Sequence, residues 1–200
     1  MFHFEKEYNL KNKTVELTPL REEHESELFH ISNSKEIWRF FTEKGFGREN
    51  FRSYIKNALQ KREEKVEYPL VIKDLRANKL AGMTRLYDVS NELKNIKIGH
   101  TWVGEKFQGT DLNKACKYVL FEFLFDELKF ERIGFGVSEL NVRSLKAMES
   151  VGCKVEGKLR GFLPSEIEGK RIDIILLSLL KNEWEAGVKR ELKGKIKAYE

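Results

Sequence analysis

The stretch FQGTDLNKACKYVLFEFL, residues 107–124, decides how the chain folds, because it joins a glycine-containing turn to the strongest periodic pattern in the sequence. Apolar side chains recur in it at the spacing of a single helix face: Leu112, Ala115, Cys116, Val119, Leu120, Phe123 and Leu124. The stretch is therefore predicted to be a loop followed by a helix whose apolar stripe packs on a sheet.

The segments on either side of this helix have the alternation of β-strands. Residues 96–103 precede the loop, and residues 133–137 follow the helix with Gly134 and Gly136 between apolar residues. A strand–helix–strand unit of this length crosses over right-handed, so its two strands are predicted to be parallel.

The remaining patterns complete the predicted order of elements. They indicate a strand (14–20), two short helices (28–41, with Ser34 as an N-cap), a helix (51–59), a hairpin (68–75 and 80–87), a helix from Asn141 to Gly152, two strands (155–163 and 171–180, joined by 164–169) and a charged terminal helix. This order predicts an α/β or α+β fold with a mixed sheet rather than a doubly wound parallel sheet. We expect residues 1–200 to form one domain.

Composition narrows the classes of function. The 200 residues include 37 Lys and Arg against 32 Asp and Glu, a formal net charge of +5 that suits an anionic ligand such as a phosphorylated cofactor, a nucleic acid or an acidic membrane. The basic tail 189–197 has mixed charge, so neither nucleic-acid nor membrane binding is predicted. Two cysteines without Cys-x-x-Cys spacing predict no metal site and a reducing, cytoplasmic location.

Several short motifs occur in an order that carries a family resemblance. They are LTPL (17–20), IGHTWVG (98–104), FQGTDLN (107–113), NVRS (141–144), RID (171–173) and NEW (182–184). Together they resemble the GNAT superfamily of N-acetyltransferases, nearest the branch of ribosomal-protein N-terminal (serine/alanine) acetyltransferases. The resemblance spans roughly residues 14–184. It implies a mostly antiparallel sheet of about seven strands, with one splayed parallel pair and flanking helices.

The resemblance also implies that acetyl-CoA is the cosubstrate and that residues 107–113, here named the coenzyme loop, contact it. The implied cofactor-binding residues are Trp102, Val103, Gly104, Gln108, Gly109, Thr110, Asp111, Leu112, Asn113, Asn141 and Ser144. Helix N-termini bind phosphates because their first amides lack intrahelical partners and lie at the positive end of the helix dipole. Gly109 would let the backbone approach the pyrophosphate. Taken alone, the loop is better explained as a plain helix cap at a strand–helix turn, and the flanking motifs reverse that preference.

Asp111 departs from the family pattern, in which a small residue usually stands at this position. A carboxylate beside a pyrophosphate is repelled, so its side chain is expected to point to solvent or to weaken coenzyme binding. Substitution by glycine is therefore expected to leave acetyl-CoA binding at least as tight.

The resemblance implies that Asn141 contacts the pantetheine arm and that Ser144 hydrogen-bonds the thiolate leaving group. The i, i+3 spacing places both residues on one helix face. A role for Asn141 as a helix cap alone, with Ser144 as a polar residue of the first turn, stays open at this point.

His100 is the first choice for the general base, because histidine titrates in the useful pH range. Strand alternation places it in a segment where Ile98, His100 and Trp102 share a face. A histidine that merely packs or is solvated fits as well. Relatives often carry Glu at the position of Lys97, and Glu105 and Glu139 are alternatives as the base.

The acceptor would be a primary amine of a peptide N-terminus or of a small molecule, and it would attack the thioester directly. A backbone amide near Trp102 and Val103 would stabilise the oxyanion. Trp38, Phe40 and Phe41 would line the acceptor cleft or belong to the core, and an exposed Arg39 or Lys44 would favour an acidic acceptor. Alternatives are a CoA-binding protein with little catalysis and an aminoglycoside or polyamine acetyltransferase. The chain is expected to be a monomer or a homodimer.

Overall fold

The structure is a computed structural model that describes residues 1–165 and 169–196. Its strands form one sheet in the order β1-β2-β3-β4-β5-β6-β8-β7. The strands are β1 (Leu10–Lys11), β2 (Val15–Pro19), β3 (Glu67–Asp74), β4 (Lys79–Ser90), β5 (Asn95–Val103), β6 (Arg132–Ser138), β7 (Lys154–Pro164) and β8 (Arg171–Leu180). The helices are α1 (Glu25–Ser32), α2 (Lys35–Trp38), α3 (Arg48–Glu63), α4 (Leu112–Phe121), α5 (Val142–Ser150), α6 (Lys181–Glu183) and α7 (Lys189–Gly194).

The sheet opens between β5 and β6, its one parallel pair among the described residues. The two strands pair only at their beginnings, where Asn95, Ile96 and Lys97 face Arg132, Ile133 and Gly134. Beyond this point β6 continues to pair with β8 through Ser138, while β5 continues with β4 through Val103. The predicted mixed fold with a splayed parallel pair is thus confirmed, and the short strand β1 brings the sheet to eight strands.

Hydrophobic side chains fill both faces of the sheet. On one face, α4 presents its apolar stripe to strands β1–β6, and Leu112, Cys116 and Leu120 have no exposed surface. On the other face, α1, α2 and α3 pack a second cluster around Trp38 and Trp102. Burial of these two layers supplies the main driving force for the fold.

The helix predictions hold with local corrections. The stripe that begins α4 continues through a π-helical segment, Glu122–Glu127. Ser34 stands at the N-cap of α2 without capping it, because its Oγ lies 2.5 Å from Glu105 Oε1 instead. Part of the predicted connection 164–169 and the end of the tail 189–197 lie outside the described residues. No helix in the described part of the chain is long and apolar enough to cross a bilayer.

Both predicted ends of α5 are confirmed. The side-chain oxygen of Asn141 accepts a hydrogen bond from the Ser144 amide at 3.1 Å, so Asn141 is the N-cap. Gly152 follows the helix with φ of +95°, a left-handed conformation that glycine adopts without penalty.

A β-bulge in β5 corrects the predicted strand face. Met83 faces Trp102 and Arg85 faces Gly99, so β5 carries one more residue than β4 between these two pairs. His100 lies in the bulge with φ of +49°. The extra residue reverses the alternation, and Ile98 and Trp102 therefore lie in the clusters on opposite faces of the sheet, not on one face.

Candidate active site

A cavity of about 430 Å³, here named the larger cavity, lies beside the end of β5, where this strand has separated from β6. The coenzyme loop, the end of β5 and the first turns of α4 and α5 form its walls. Of the residues predicted to bind the coenzyme, eight line this larger cavity: Trp102, Val103, Gln108, Gly109, Thr110, Asn113, Asn141 and Ser144. The structure thus brings together most of a set that the sequence spreads over 43 positions, from 102 to 144.

Side-chain hydrogen bonds hold the coenzyme loop in place. Gln108 Nε2 donates to the Val103 carbonyl at 3.1 Å, and Gln108 Oε1 accepts from Arg143 Nη1 at 2.6 Å. Thr110 Oγ1 donates to the Phe107 carbonyl at 2.8 Å and accepts from the Leu112 amide at 3.3 Å. The loop is therefore tied to β5, to α5 and to its own helix before any ligand binds.

The turn at Gly109 leaves room for a ligand beside the start of α4. Gly109 has φ of +75°, a conformation that favours glycine, and a Cβ built on it would have no atom within 4 Å. Its backbone borders the larger cavity next to the first turn of α4, where amide groups and the helix dipole favour an anion. The local shape and polarity fit a diphosphate.

The amide of Val103 faces the opening between the strands. Gly104 N donates to the Ala81 carbonyl of β4 at 2.8 Å. Because successive residues of a strand direct their backbone groups to opposite edges, the amide of Val103 is directed away from β4 and toward β6. It is in position to donate a hydrogen bond to a carbonyl in the cavity.

Three predicted coenzyme residues do not line the larger cavity. Gly104 donates its amide to β4, and the Leu112 side chain is fully buried in the core. The Asp111 carboxylate lies 2.6 Å from Arg76 of the β3–β4 turn, so it is neither turned to open solvent nor left without a counterion. Trp102 reaches the cavity, but its side chain is 4% exposed and packs in the cluster under α1–α3.

Sequence reasoning missed three basic residues of the same cavity. Lys114, Arg143 and Lys146 line it from α4 and α5. Each follows a predicted site residue by one or two positions, but neighbours at that spacing do not share a helix face, so no local pattern in the sequence indicated them. Their charge adds to the attraction of the helix N-terminus for an anion.

A smaller cavity of about 310 Å³ adjoins the larger one on the side of β6. The two cavities share the wall residues Phe40, Phe41, Thr101, Asn141, Ser144 and Met148. His100 and Lys117 line only the smaller cavity, together with aromatic side chains that include Tyr87 and Phe135. Ser144 thus stands where a group from the larger cavity would meet a group from the smaller one.

His100 is partly buried and lies in a positive field. Desolvation, followed by the nearby Arg85 guanidinium, lowers the pKa of His100 to about 4. Arg85 is fully buried and donates from Nη1 to Glu67 Oε2 at 2.8 Å. Burial of Glu67 opposes its ionisation, but hydrogen bonds from Arg85 and Lys61 lower the Glu67 pKa on balance. His100 is therefore neutral at pH 7 and a weak base.

The other candidate bases are engaged elsewhere. Glu105 accepts from Ser34, and Glu139 Oε2 lies 2.9 Å from Lys158 Nζ. Lys97 pairs with Asp88 at 2.8 Å on the surface. None of Glu105, Glu139 and Lys97 is among the described residues that line either cavity.

The aromatic residues that were predicted either to line the acceptor cleft or to belong to the core do both. Phe40 and Phe41 line both cavities, whereas Trp38 is 1% exposed and belongs to the core. Lys44 Nζ donates to the carbonyls of Trp38 and Arg39.

Among residues 1–165 and 169–196, no group of three or more His, Cys, Asp and Glu side chains is arranged to hold a metal ion.

A sheet that opens at one parallel pair, with a helix N-terminus at the opening, defines the class of the CoA-dependent N-acetyltransferases. The sequence places the chain in the same class: the model of the acetyltransferase (GNAT) domain family matches residues 14–154, and the chain belongs to this family.

Comparison with individual proteins agrees with this family. YdaF of Bacillus subtilis (strain 168), named "Putative ribosomal N-acetyltransferase", is 31% identical over 106 residues, and the match covers 53% of this chain and 56% of that relative. The match thus spans little more than half of the relative. A "putative acetyltransferase" from T. thermophilus is 27% identical with a TM-score of 0.84, over 98% of this chain and 100% of that one.

A more distant structure shares the fold alone. Spermidine N-acetyltransferase from Vibrio cholerae, solved in complex with CoA and spermine, is 16% identical with a TM-score of 0.69. The similarity covers 87% of this chain and 99% of that chain.

Proposed function

We propose that the chain transfers the acetyl group of acetyl-CoA to a primary amine by direct attack. The observation that carries this proposal is the opening between β5 and β6, where the larger cavity meets the smaller one at Thr101, Asn141 and Ser144. In this arrangement the larger cavity takes the coenzyme and the smaller cavity takes the acceptor.

The residues of the larger cavity fit acetyl-CoA along its length. The coenzyme loop, with Lys114, Arg143 and Lys146 around it, binds the phosphates. The Val103 amide donates to the thioester carbonyl and stabilises the negative charge that develops on its oxygen. Ser144 donates from its hydroxyl to the sulfur as the C–S bond breaks, and Asn141 caps the helix that carries it.

The smaller cavity favours an amine that loses its proton readily. Its wall is largely apolar and aromatic, and His100 in it is held neutral, so a charged ammonium is poorly solvated there. Deprotonating an α-amine of pKa about 8 at pH 7 costs roughly 1.4 kcal/mol, against about 4.6 kcal/mol for a lysine side chain. A peptide N-terminus is thus the acceptor class that we propose, and the name of YdaF as a putative ribosomal N-acetyltransferase agrees with it. His100 holds this amine as a neutral hydrogen-bonding partner.

A thiol-release assay with acetyl-CoA tests the function. The acceptor panel contains peptides with N-terminal Ser or Ala, the same peptides with a blocked N-terminus, spermidine and an aminoglycoside. We expect release with free peptides and none with blocked peptides. Faster release with spermidine or the aminoglycoside would overturn the acceptor class. Tight binding of acetyl-CoA without release for any amine would show a CoA-binding protein instead.

A further inference from the structure

Lys117 is a lysine with almost no exposure at the bottom of the smaller cavity. It lies in the second turn of α4 and is 1% exposed. It lines the cavity beside Thr101. A lysine is rarely fully buried unless it is paired. Within the described residues Lys117 forms no ion pair, so a structural salt bridge does not account for it.

One hydrogen bond fixes the position of the amine. Lys117 Nζ donates to Thr101 Oγ1 at 3.0 Å, and Thr101 Oγ1 lies 2.8 Å from Thr84 Oγ1. Thr101 is also part of the wall shared by the two cavities. The amine is thus held beside the place where the acceptor would meet the thioester.

Burial sets the charge of Lys117. It lowers the pKa of the Lys117 ammonium and outweighs the nearby thiols of Cys116 and Cys153, which raise that pKa. From β6 the Phe135 ring lies 5.9 Å from Nζ, a cation–π contact that offsets a small part of the burial effect, and from β5 the titratable group at the same cavity is His100. A neutral amine that donates one hydrogen bond keeps its lone pair for a proton.

We infer that Lys117 is the proton acceptor of the transfer reaction. The inference rests on the proposed acetyl transfer. Lys117 Nζ takes a proton from the acceptor ammonium, and the neutral amine then forms the C–N bond to the thioester carbonyl carbon. The C–S bond breaks with its electron pair on sulfur, the second proton of the amine passes to the thiolate, and the Lys117 ammonium returns its proton to water.

The test compares Lys117→Met with the parent and with Lys97→Met, a surface lysine outside both cavities. At pH 7 we expect kcat of Lys117→Met to fall about 100-fold, a typical effect of losing a general base, with the acetyl-CoA Kd unchanged within about twofold. In the pH range where kcat of the parent does not change with pH, kcat of Lys117→Met should rise about tenfold per pH unit. Lys97→Met should behave as the parent does.

Three results would overturn the inference. The first is kcat of Lys117→Met within about threefold of the parent. The second is a loss of acetyl-CoA affinity as large as the loss of kcat, which would show a structural role. The third is a dependence of kcat on pH that matches the parent in Lys117→Met, while in His100→Asn the pH-independent range of kcat is lost. This result would make His100 the base.

A titration of the parent separates this inference from the proposed function. The nitrogen chemical shift of Lys117 Nζ, followed by NMR, should titrate at a lower pH than an ordinary lysine side chain does, and this measurement needs no turnover or variant. A transition at or above the ordinary lysine pKa would remove Lys117 as the base even if the parent releases thiol. A parent that releases no thiol with any amine would instead overturn the proposed function, whatever the titration shows.

Discussion

Arg76 Nη1 lies 2.6 Å from Asp111 Oδ1, which ties the turn between β3 and β4 to the start of α4. Asp74 holds the same guanidinium from its other side, with Nη2 and Oδ2 3.1 Å apart. The carboxylate at the position where the family usually has a small residue is therefore matched by a cation from a distant part of the sequence. This pairing removes the main objection to a phosphate beside Asp111.

We predict that Arg76 supports coenzyme binding by offsetting the charge of Asp111. Arg76→Gln should weaken acetyl-CoA binding by up to about tenfold, because it removes the guanidinium that lies against the Asp111 carboxylate. Asp111→Gly should bind at least as tightly as the parent. Calorimetric titration with acetyl-CoA measures both.

The double variant Arg76→Gln/Asp111→Gly is the control for this prediction. It should regain most of the lost affinity, since it removes the carboxylate together with its partner. Losses that simply add, or a large loss in Asp111→Gly alone, would show that Asp111 has a positive role in binding.

We predict that Ser144→Ala affects chemistry more than binding. A hydrogen bond to a charged sulfur is worth about 1.5–3 kcal/mol, so kcat should fall roughly 10- to 100-fold while the acetyl-CoA Kd changes little. Ser53→Ala, an exposed serine of α3, is the matched control. Parent-like kcat in Ser144→Ala would leave Asn141 and Ser144 as helix-capping residues only.

The lowered pKa of His100 predicts a loss of stability in acid. Between pH 6.5 and about 4 the unfolded chain binds a proton at this site that the folded chain does not, so the free energy of unfolding falls as the pH falls. His100→Asn, in which Asn tolerates the left-handed backbone of the bulge, should lose less stability between pH 7 and pH 5 than the parent does. Urea denaturation at the two pH values measures the difference. An equal drop in both proteins would contradict it.

The buried ion pair of Arg85 and Glu67 predicts a large cost for removing one partner. Glu67→Gln should lower the free energy of unfolding by about 3 kcal/mol, because it leaves a fully buried guanidinium with only the more distant Glu43 carboxylate, 3.6 Å from Nη2. Lys61→Met, which removes the less buried partner of Glu67, should cost about 1 kcal/mol or less. Equal costs for the two variants, measured by urea denaturation, would argue against this ranking.

The sequence predicted the parts of the fold that repeat a regular pattern. The stripe from Leu112 to Leu124 identified α4, and the alternation on either side identified the parallel pair. It missed β1, since two residues are too short for a periodic signal. It also placed Ile98 and Trp102 on one face, because a single extra residue at His100 breaks a period of two without changing the composition.

The sequence indicated those parts of the candidate site that consist of backbone or of residues close together in the sequence. The coenzyme loop and Ser144 come from contiguous motifs, and the structure brings them to one cavity. The partner of Asp111, the amine of Lys117 and the guanidinium near His100 come from other elements or from the buried side of a helix. Which charges face one another across a fold is set by tertiary packing, and local patterns do not record it.

A crystal structure of the protein with bound acetyl-CoA would examine the proposed site in a single step. We expect the pyrophosphate against the backbone of Gly109 and the first turn of α4, with the thioester between Val103 and Ser144 and its methyl group toward the smaller cavity. Coenzyme seated anywhere else, or an opening between β5 and β6 that stays empty at saturating acetyl-CoA, would contradict the site described above.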